Sequence, residues 1–193
     1  MKINPFPLQG NWEKGWALDQ NTFRQDAKEN DLVLIKRTDI GEQLYQLKYF
    51  GDSKKIQALG DTAAFFIKQN ILPLGISVIL PVPPSKLDRS IQPVYKLAEY
   101  IGKKLNIAVD FDYLVKTKNT PQLLDIKEAS KRKDILKDIF QVKNNRYKGK
   151  GVLLFDDLYS SGETLKAITE AIINKGEVGH VYVLTIAKTR VKR

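Results

Sequence analysis

Val152-Leu153-Leu154-Phe155-Asp156-Asp157-Leu158-Tyr159-Ser160-Ser161-Gly162-Glu163-Thr164 decides how this chain is read. Four apolar residues in succession read as a buried strand, the adjacent carboxylates mark its end, and a Ser-Ser-Gly-x-Thr turn opens an amphipathic helix. In a parallel α/β sheet, ligands collect at the carboxyl ends of strands, where the turn into the next helix presents free N–H groups and the positive end of the helix dipole. A phosphate matches that end. Gly162 lets the backbone approach an anion closely, while Ser160, Ser161 and Thr164 add hydroxyl donors. Asp156 and Asp157 would repel the phosphate itself. They suit a polyhydroxylic or cationic group attached to it, and a ribose 5-phosphate is both at once when its C1 bond breaks. A plainer reading keeps Asp-Asp as a strand end and Ser-Ser-Gly as a helix cap. The succession of strand, turn and helix favours the phosphate site.

Outward from this run, hydrophobic periodicity lays strands and helices in alternation. Residues 31–36 read as a strand and 41–49 as a short helix. Ile56, Leu59, Ala63 and Phe66 recur at helical spacing, which predicts a helix over 54–69, closed by Pro73. Residues 76–80 form a compact apolar strand that the following prolines stop. Val94, Leu97, Ala98, Ile101 and Leu105 trace the buried stripe of another helix. Residues 107–115 predict a strand, and 116–138 are polar and without period. Beyond 152–155 come a helix over 164–174, with Gly176 past its end, and a last strand over 181–187. This alternation implies a mainly parallel sheet flanked by helices. Trp12 and Trp16, four apart, could staple a helix, but Gly15 argues for a loop, and core packing outweighs base stacking for both rings. No internal repeat or low-complexity segment is visible.

The Asp156 to Thr164 run resembles the phosphoribosyl pyrophosphate signature of the type I phosphoribosyltransferases. A tyrosine at the position of Tyr159, where many members carry a small aliphatic residue, is familiar from the ComF-type, competence-associated branch. Pro81-Val82-Pro83-Pro84 resembles the pyrophosphate loop of that branch, and Arg89-Ser90-Ile91-Gln92 sits where it tends to carry Arg-Gly-aromatic-Asn. Thr120-Pro121-Gln122, Arg132-Lys133 and Phe140 follow its Thr-x-Gln, Arg and Phe spacing. The resemblance covers roughly residues 40 to 190 as pattern context, and only the Asp156 to Thr164 motif is specific by itself. Ser90 in place of the usual Gly, and Ile135 where an Asn is expected, are departures in the pyrophosphate and flexible loops. ComF-type proteins often begin with a four-cysteine zinc ribbon, which a chain with no cysteine cannot build. Residues 1–50 are therefore expected to form an N-terminal cap, or hood, of another kind, and residues 51–193 the phosphoribosyltransferase-like domain.

The resemblance implies an α/β, type I phosphoribosyltransferase-like fold and a set of roles. Asp156, Asp157, Leu158, Tyr159, Ser160, Ser161, Gly162, Glu163 and Thr164 would bind ribose 5-phosphate. Val82, Pro83, Pro84, Ser85, Lys86 and Arg89 would bind the pyrophosphate, although the proline-rich turn by itself reads equally as a strand stop. Asp156 and Asp157 would offset charge on the ribose ring and contact Mg²⁺ through water, and Arg132 or Lys133 would reach the leaving pyrophosphate. These four are the expected catalytic residues. The segment 116–137 fits a lid that closes over the ligand, against the alternative of a solvent-facing helix. The implied reaction transfers phosphoribose from phosphoribosyl pyrophosphate to an unidentified amine or nitrogenous base. A sensor of phosphoribosyl pyrophosphate without turnover, and a nucleic-acid-binding protein for DNA uptake or processing, are the alternatives.

Composition bounds these readings. The 193 residues suffice for one domain with a substantial core. Without cysteine there is no disulfide framework, thiolate metal site or cysteine nucleophile, and the single His180 leaves a His-based triad or zinc site unsupported. A net charge of +10 favours anionic partners, whether nucleotide-like substrates or nucleic acid. The basic terminal cluster from Lys188 to Arg193 lacks interleaved aromatics, which disfavours a single-strand platform. No apolar run approaches the ~20 residues of a membrane span and no signal pattern opens the chain, so a cytoplasmic location without membrane contact is expected. Type I relatives commonly dimerise, and Tyr45-Gln46-Leu47-Lys48-Tyr49-Phe50 could supply the apolar patch of a homodimer.

Overall fold

The computed structural model describes residues 1–26, 33–84, 91–117 and 139–190. Its centre is a six-stranded sheet in which β1 (Phe6–Pro7), β2 (Lys14–Gln20), β10 (His180–Lys188), β9 (Gly151–Tyr159), β5 (Ile76–Pro81) and β6 (Ala108–Val109) lie side by side in that order. Only the β1–β2 pair is antiparallel; the other neighbours run parallel. Parallel strands are covered on both faces, which is why β9 and β10 read as continuous apolar runs rather than alternating ones. Val152, Leu153, Leu154 and Phe155 are all fully buried.

The covering layers divide by face. Helices α1 (Asp39–Phe50), α2 (Lys55–Asn70) and α3 (Pro93–Leu105) pack Leu44, Leu47, Leu59, Phe66, Leu97 and Ile101 with Leu153, Phe155 and Leu184 of the sheet. On the other face α4 (Glu163–Asn174) and a hairpin of β7 (Leu114–Lys116) with β8 (Phe140–Val142) pack Leu165, Ile168, Ile172 and Phe140 over Val152, Leu154 and Val183. α1 begins where Thr38 caps it, its Oγ1 accepting the Gly41 N–H at 3.0 Å and donating to the Gln20 carbonyl at 2.6 Å. Gly51, at φ 66°, ends it. Among the described residues no helix is long and apolar enough to cross a membrane.

Several elements differ from the sequence reading for identifiable reasons. The strand expected over 107–115 is broken into β6 and β7, because the Asp110 carboxylate takes the N–H groups of Asp112 and Tyr113, each at 3.0 Å, and turns the chain. Gly15 is not a loop marker but lies inside β2. A Cβ there would stand 2.4 Å from Trp12 Nε1, so its place in the strand is a seat for the indole. Within residues 1–50, β1 and β2 form one edge of the main sheet. The two-stranded hairpin of β3 (Thr22–Asp26) and β4 (Val33–Arg37) stands apart from that sheet.

Candidate functional site

The carboxyl ends of β5, β9 and β10 meet at one edge of the molecule. β9 continues past the apolar run through Tyr159, pairing Asp156 with Thr185 and Tyr159 with Lys188, so the carboxylates stand within the strand rather than at its end. On the other side its pairing with β5 stops at Pro81, opposite Phe155. The Val82 N–H then donates to the Phe155 carbonyl at 2.9 Å. The start of the proline-rich turn is thereby fixed directly beside Asp156. Val82 is buried and Pro83 and Pro84 are half-buried, while Ser85, Lys86 and Arg89 lie outside the described residues.

The two carboxylates have different surroundings. Asp157 is 6% exposed and forms an ion pair with Lys48 of α1, Nζ to Oδ2 at 2.7 Å. Asp156 is half-buried, and its Oδ1 accepts the Asp157 N–H at 2.8 Å. Burial, and then the negative charge of Asp157, push the Asp156 carboxyl up to about 7; Lys48 and the backbone bond offset only part of this. One acid is thus neutralised by a lysine and the other is poised to take or lose a proton near neutrality.

After Tyr159 a turn of Ser160, Ser161 and Gly162 leads into α4. Gly162 is the N-cap, in the left-handed region at φ 80°, and no side chain caps the helix end. Ser160 and Ser161 are exposed, and the Ser161 hydroxyl bonds the Glu163 carboxylate. The turn is held from both sides: the Thr189 N–H donates to the Tyr159 carbonyl at 2.8 Å, and the Lys166 N–H to the Gly162 carbonyl at 2.9 Å. Beyond Thr189, Arg190 has a buried Nη1 without a hydrogen-bond partner among the described residues.

The structure therefore brings Asp156 to Thr164 and Val82 to Pro84 to one strand-end region. Arg132 and Lys133, and with them residues 118–137 of the expected lid, lie outside the described residues. Two participants went unread in the sequence. Lys48 showed only as a residue beside the apolar stripe of Leu44 and Leu47, and its partner lies more than a hundred positions away. Residues 8–13, which pack against Tyr159, carry no motif.

Among the described residues no cluster of three or more His, Asp or Glu side chains could by itself cage a metal ion. Two adjacent acids, one of them already paired with Lys48, fit a hydrated Mg²⁺ held chiefly by ligand phosphates, since that ion keeps several waters and takes few protein carboxylates.

This arrangement of sheet, helices and strand ends is the type I phosphoribosyltransferase fold. The chain superposes on adenine phosphoribosyltransferase from Saccharomyces cerevisiae, complexed with an imino-altritol bisphosphate and adenine, at a TM-score of 0.51 and 12% identity, covering 87% of this chain and 84% of that one. The enzyme of Leishmania tarentolae gives 0.50 at 12% identity over 97% and 95%. That of Trypanosoma brucei, in complex with AMP, pyrophosphate and ribose-5-phosphate, gives 0.50 at 11% over 97% and 87%. In sequence the chain is similar to the competence protein ComFC of Bacillus subtilis strain 168, with 27% identity over 169 residues. The match takes in 84% of this chain but spans only 65% of the length of ComFC. No protein-family model matches.

Proposed function

We propose that the protein is a phosphoribosyltransferase that binds phosphoribosyl pyrophosphate with Mg²⁺ and transfers phosphoribose to an amine or nitrogenous base. One observation carries this reading. A carboxylate pair stands in a single strand, with an uncapped helix N-terminus following it and the turn after β5 bonded beside it through Val82 and Phe155. In transfer, the bond from C1 to the pyrophosphate oxygen breaks as a bond from C1 to the acceptor nitrogen forms. Positive charge grows on the ring and negative charge on the leaving group, so a site that matches both lowers the barrier most.

In this assignment the backbone of residues 158–164, with the hydroxyls of Ser160, Ser161 and Thr164, holds the 5-phosphate. Asp156 and Asp157 hold the ribose hydroxyls and face the ring charge. The turn at Val82, Pro83, Pro84 and Ser85 holds the pyrophosphate, with Lys86, Arg89, Arg132 and Lys133 as its cations. Asp156 and Asp157 would hold a hydrated Mg²⁺, which would supply charge shielding for the pyrophosphate. The buried Nη1 of Arg190, without a partner among the described residues and one residue past the strand rung that anchors Tyr159, supports an anionic ligand at this end of the sheet. A location in the cytoplasm and a homodimer through the exposed Tyr49 and Phe50 belong to the same proposal.

Calorimetry with phosphoribosyl pyrophosphate and Mg²⁺ tests the assignment. The double change Asp156→Asn, Asp157→Asn should abolish binding, and unchanged affinity would sink it. Pyrophosphate release on adding candidate bases and amines separates turnover from sensing alone. The ComFC homology and the net charge of +10 support a second reading, a nucleic-acid-associated protein. That reading requires DNA affinity that falls steeply with salt and survives the Asp changes.

A further inference from the structure

Behind the phosphate turn lies a segment that the assignment above does not use. The Leu8 N–H donates to the Gly15 carbonyl at 2.9 Å, closing residues 8–15 into a loop, and the Trp12 indole fills it, its Nε1 donating to the Leu8 carbonyl at 3.0 Å. The fit is tight: a Cβ on Gly10 would come within 2.3 Å of the Trp12 ring. Three contacts join this plug to the turn and the helix after it. The Tyr159 ring meets the edge of Trp12 at 6.5 Å with an interplanar angle of 89°, and its hydroxyl reaches the Gln9 carbonyl at 3.4 Å. Asn11 Nδ2 donates to the Lys166 carbonyl at 3.0 Å, in the first turns of α4.

The Tyr159 ring also lies against Gly162. A Cβ there would stand 2.7 Å from the hydroxyl and 2.8 Å from a ring carbon. Two backbone bonds hold the ends of the turn, but between them Ser160 and Ser161 are exposed and Gly162 is the residue type with the most backbone freedom to lose, so a side-chain support matters there. The Tyr159 ring, which touches both Gly162 and Trp12, supplies that support. An anion site built from backbone N–H groups binds tightly only when those groups are already aimed, because ordering them at the moment of binding offsets the interaction.

We propose that Tyr159 is a positioning residue for the phosphate turn and that residues 8–13 act through it to set the affinity for a phosphate monoester. The proposal rests on the phosphate reading of the turn. It makes the N-terminal segment a working part of the phosphate site.

The test uses ribose 5-phosphate as the probe, titrated calorimetrically into the whole chain and its variants. Tyr159→Phe keeps the ring and should bind within about twofold of the unaltered chain, whereas Tyr159→Leu should bind about tenfold more weakly as the turn must order on binding. Asn11→Ala, further from the ligand, should weaken binding in the same direction by about threefold. A readout that mere structural support would not move comes from fluorescence. With Trp16→Phe, Trp12 is the sole tryptophan, and its emission should respond to ribose 5-phosphate through Tyr159. Should the Leu variant fail to fold, that response in the Tyr159 background decides the matter alone.

Undiminished affinity in Tyr159→Leu, or a Trp12 emission that ignores the bound probe, overturns the proposal while leaving the phosphate site intact. A probe that fails to bind the unaltered chain overturns the phosphate reading, and this proposal with it.

Discussion

Replacing Asp156 with Asn should make the protein more stable at neutral pH while removing its ligand. The reasoning starts from the carboxyl's position, held up to about 7 against an ordinary 3.8 by burial and by Asp157. The folded chain binds this proton more tightly than the unfolded chain does. Stability therefore falls as pH rises from about 4 to about 7, and is flat above. Each tenfold change in proton affinity corresponds to about 1.4 kcal/mol, which sets a ceiling of about 4 kcal/mol for the cost of ionising Asp156 in the fold. Asp156 is only half-buried, so screening by water brings the expected figure to about 2 kcal/mol. Asn carries no such cost and can still accept the Asp157 N–H that now reaches Oδ1 at 2.8 Å. In urea unfolding, Asp156→Asn and the unaltered chain should match at pH 3.5 and diverge by about 2 kcal/mol at pH 8. The matching rise in melting temperature is about 4–8 °C for a chain of this size. A difference independent of pH, or a variant less stable at pH 8, would refute the account of Asp156 as a carboxyl kept under electrostatic strain for its ligand.

Three further outcomes follow from the same geometry. Lys48→Met strips Asp157 of its 2.7 Å partner and should cost about 3 kcal/mol, most of it recovered when Asp157→Asn is added; additive costs in that double-mutant cycle would show the pair to be idle. Gly162→Ala places a Cβ against Tyr159 at a φ of 80° and should cost about 1–2 kcal/mol in unfolding experiments, with weakened binding of phosphoribosyl pyrophosphate; a neutral variant would mean that the turn relaxes freely. Affinity for phosphoribosyl pyrophosphate with Mg²⁺ should rise with pH through about 7 as Asp156 loses its proton, and a flat calorimetric profile between pH 5.5 and 8 would remove Asp156 from the site.

The parts of this protein that were legible in sequence are those whose signal is local. Val152 to Phe155 had to be a buried parallel strand because nothing polar interrupts it, and Leu97, Ala98 and Ile101 had to face a sheet because of their spacing. The Asp156 to Thr164 motif is contiguous, so its strand, turn and helix could be read together. What escaped depends on distant partners. Lys48 has the look of any lysine at the border of an apolar stripe until β9 places Asp157 opposite it. β2 was missed because Gly15 speaks for a loop on its own, and only the Trp12 ring explains a glycine within a strand. Asp110 broke an expected strand by taking two backbone N–H groups, a choice that the apolar residues around it do not announce.

The pairing of β2 with β10 has a consequence in time. Lys14 sits beside Tyr182 and Gln20 beside Lys188, so two strands far apart along the chain are stitched together. Such distant pairings are slow to form, and during synthesis β2 has only β1 beside it until β10 has been made. The loop of residues 8–13 can settle against Tyr159 only after that, so the turn from Ser160 to Gly162 is among the last places to take shape. Pulse-labelled hydrogen exchange should see β5 and α3 protected before the Trp12 indole and the Gly162 turn. A folding intermediate would carry the bulk of the core and bind no phosphate.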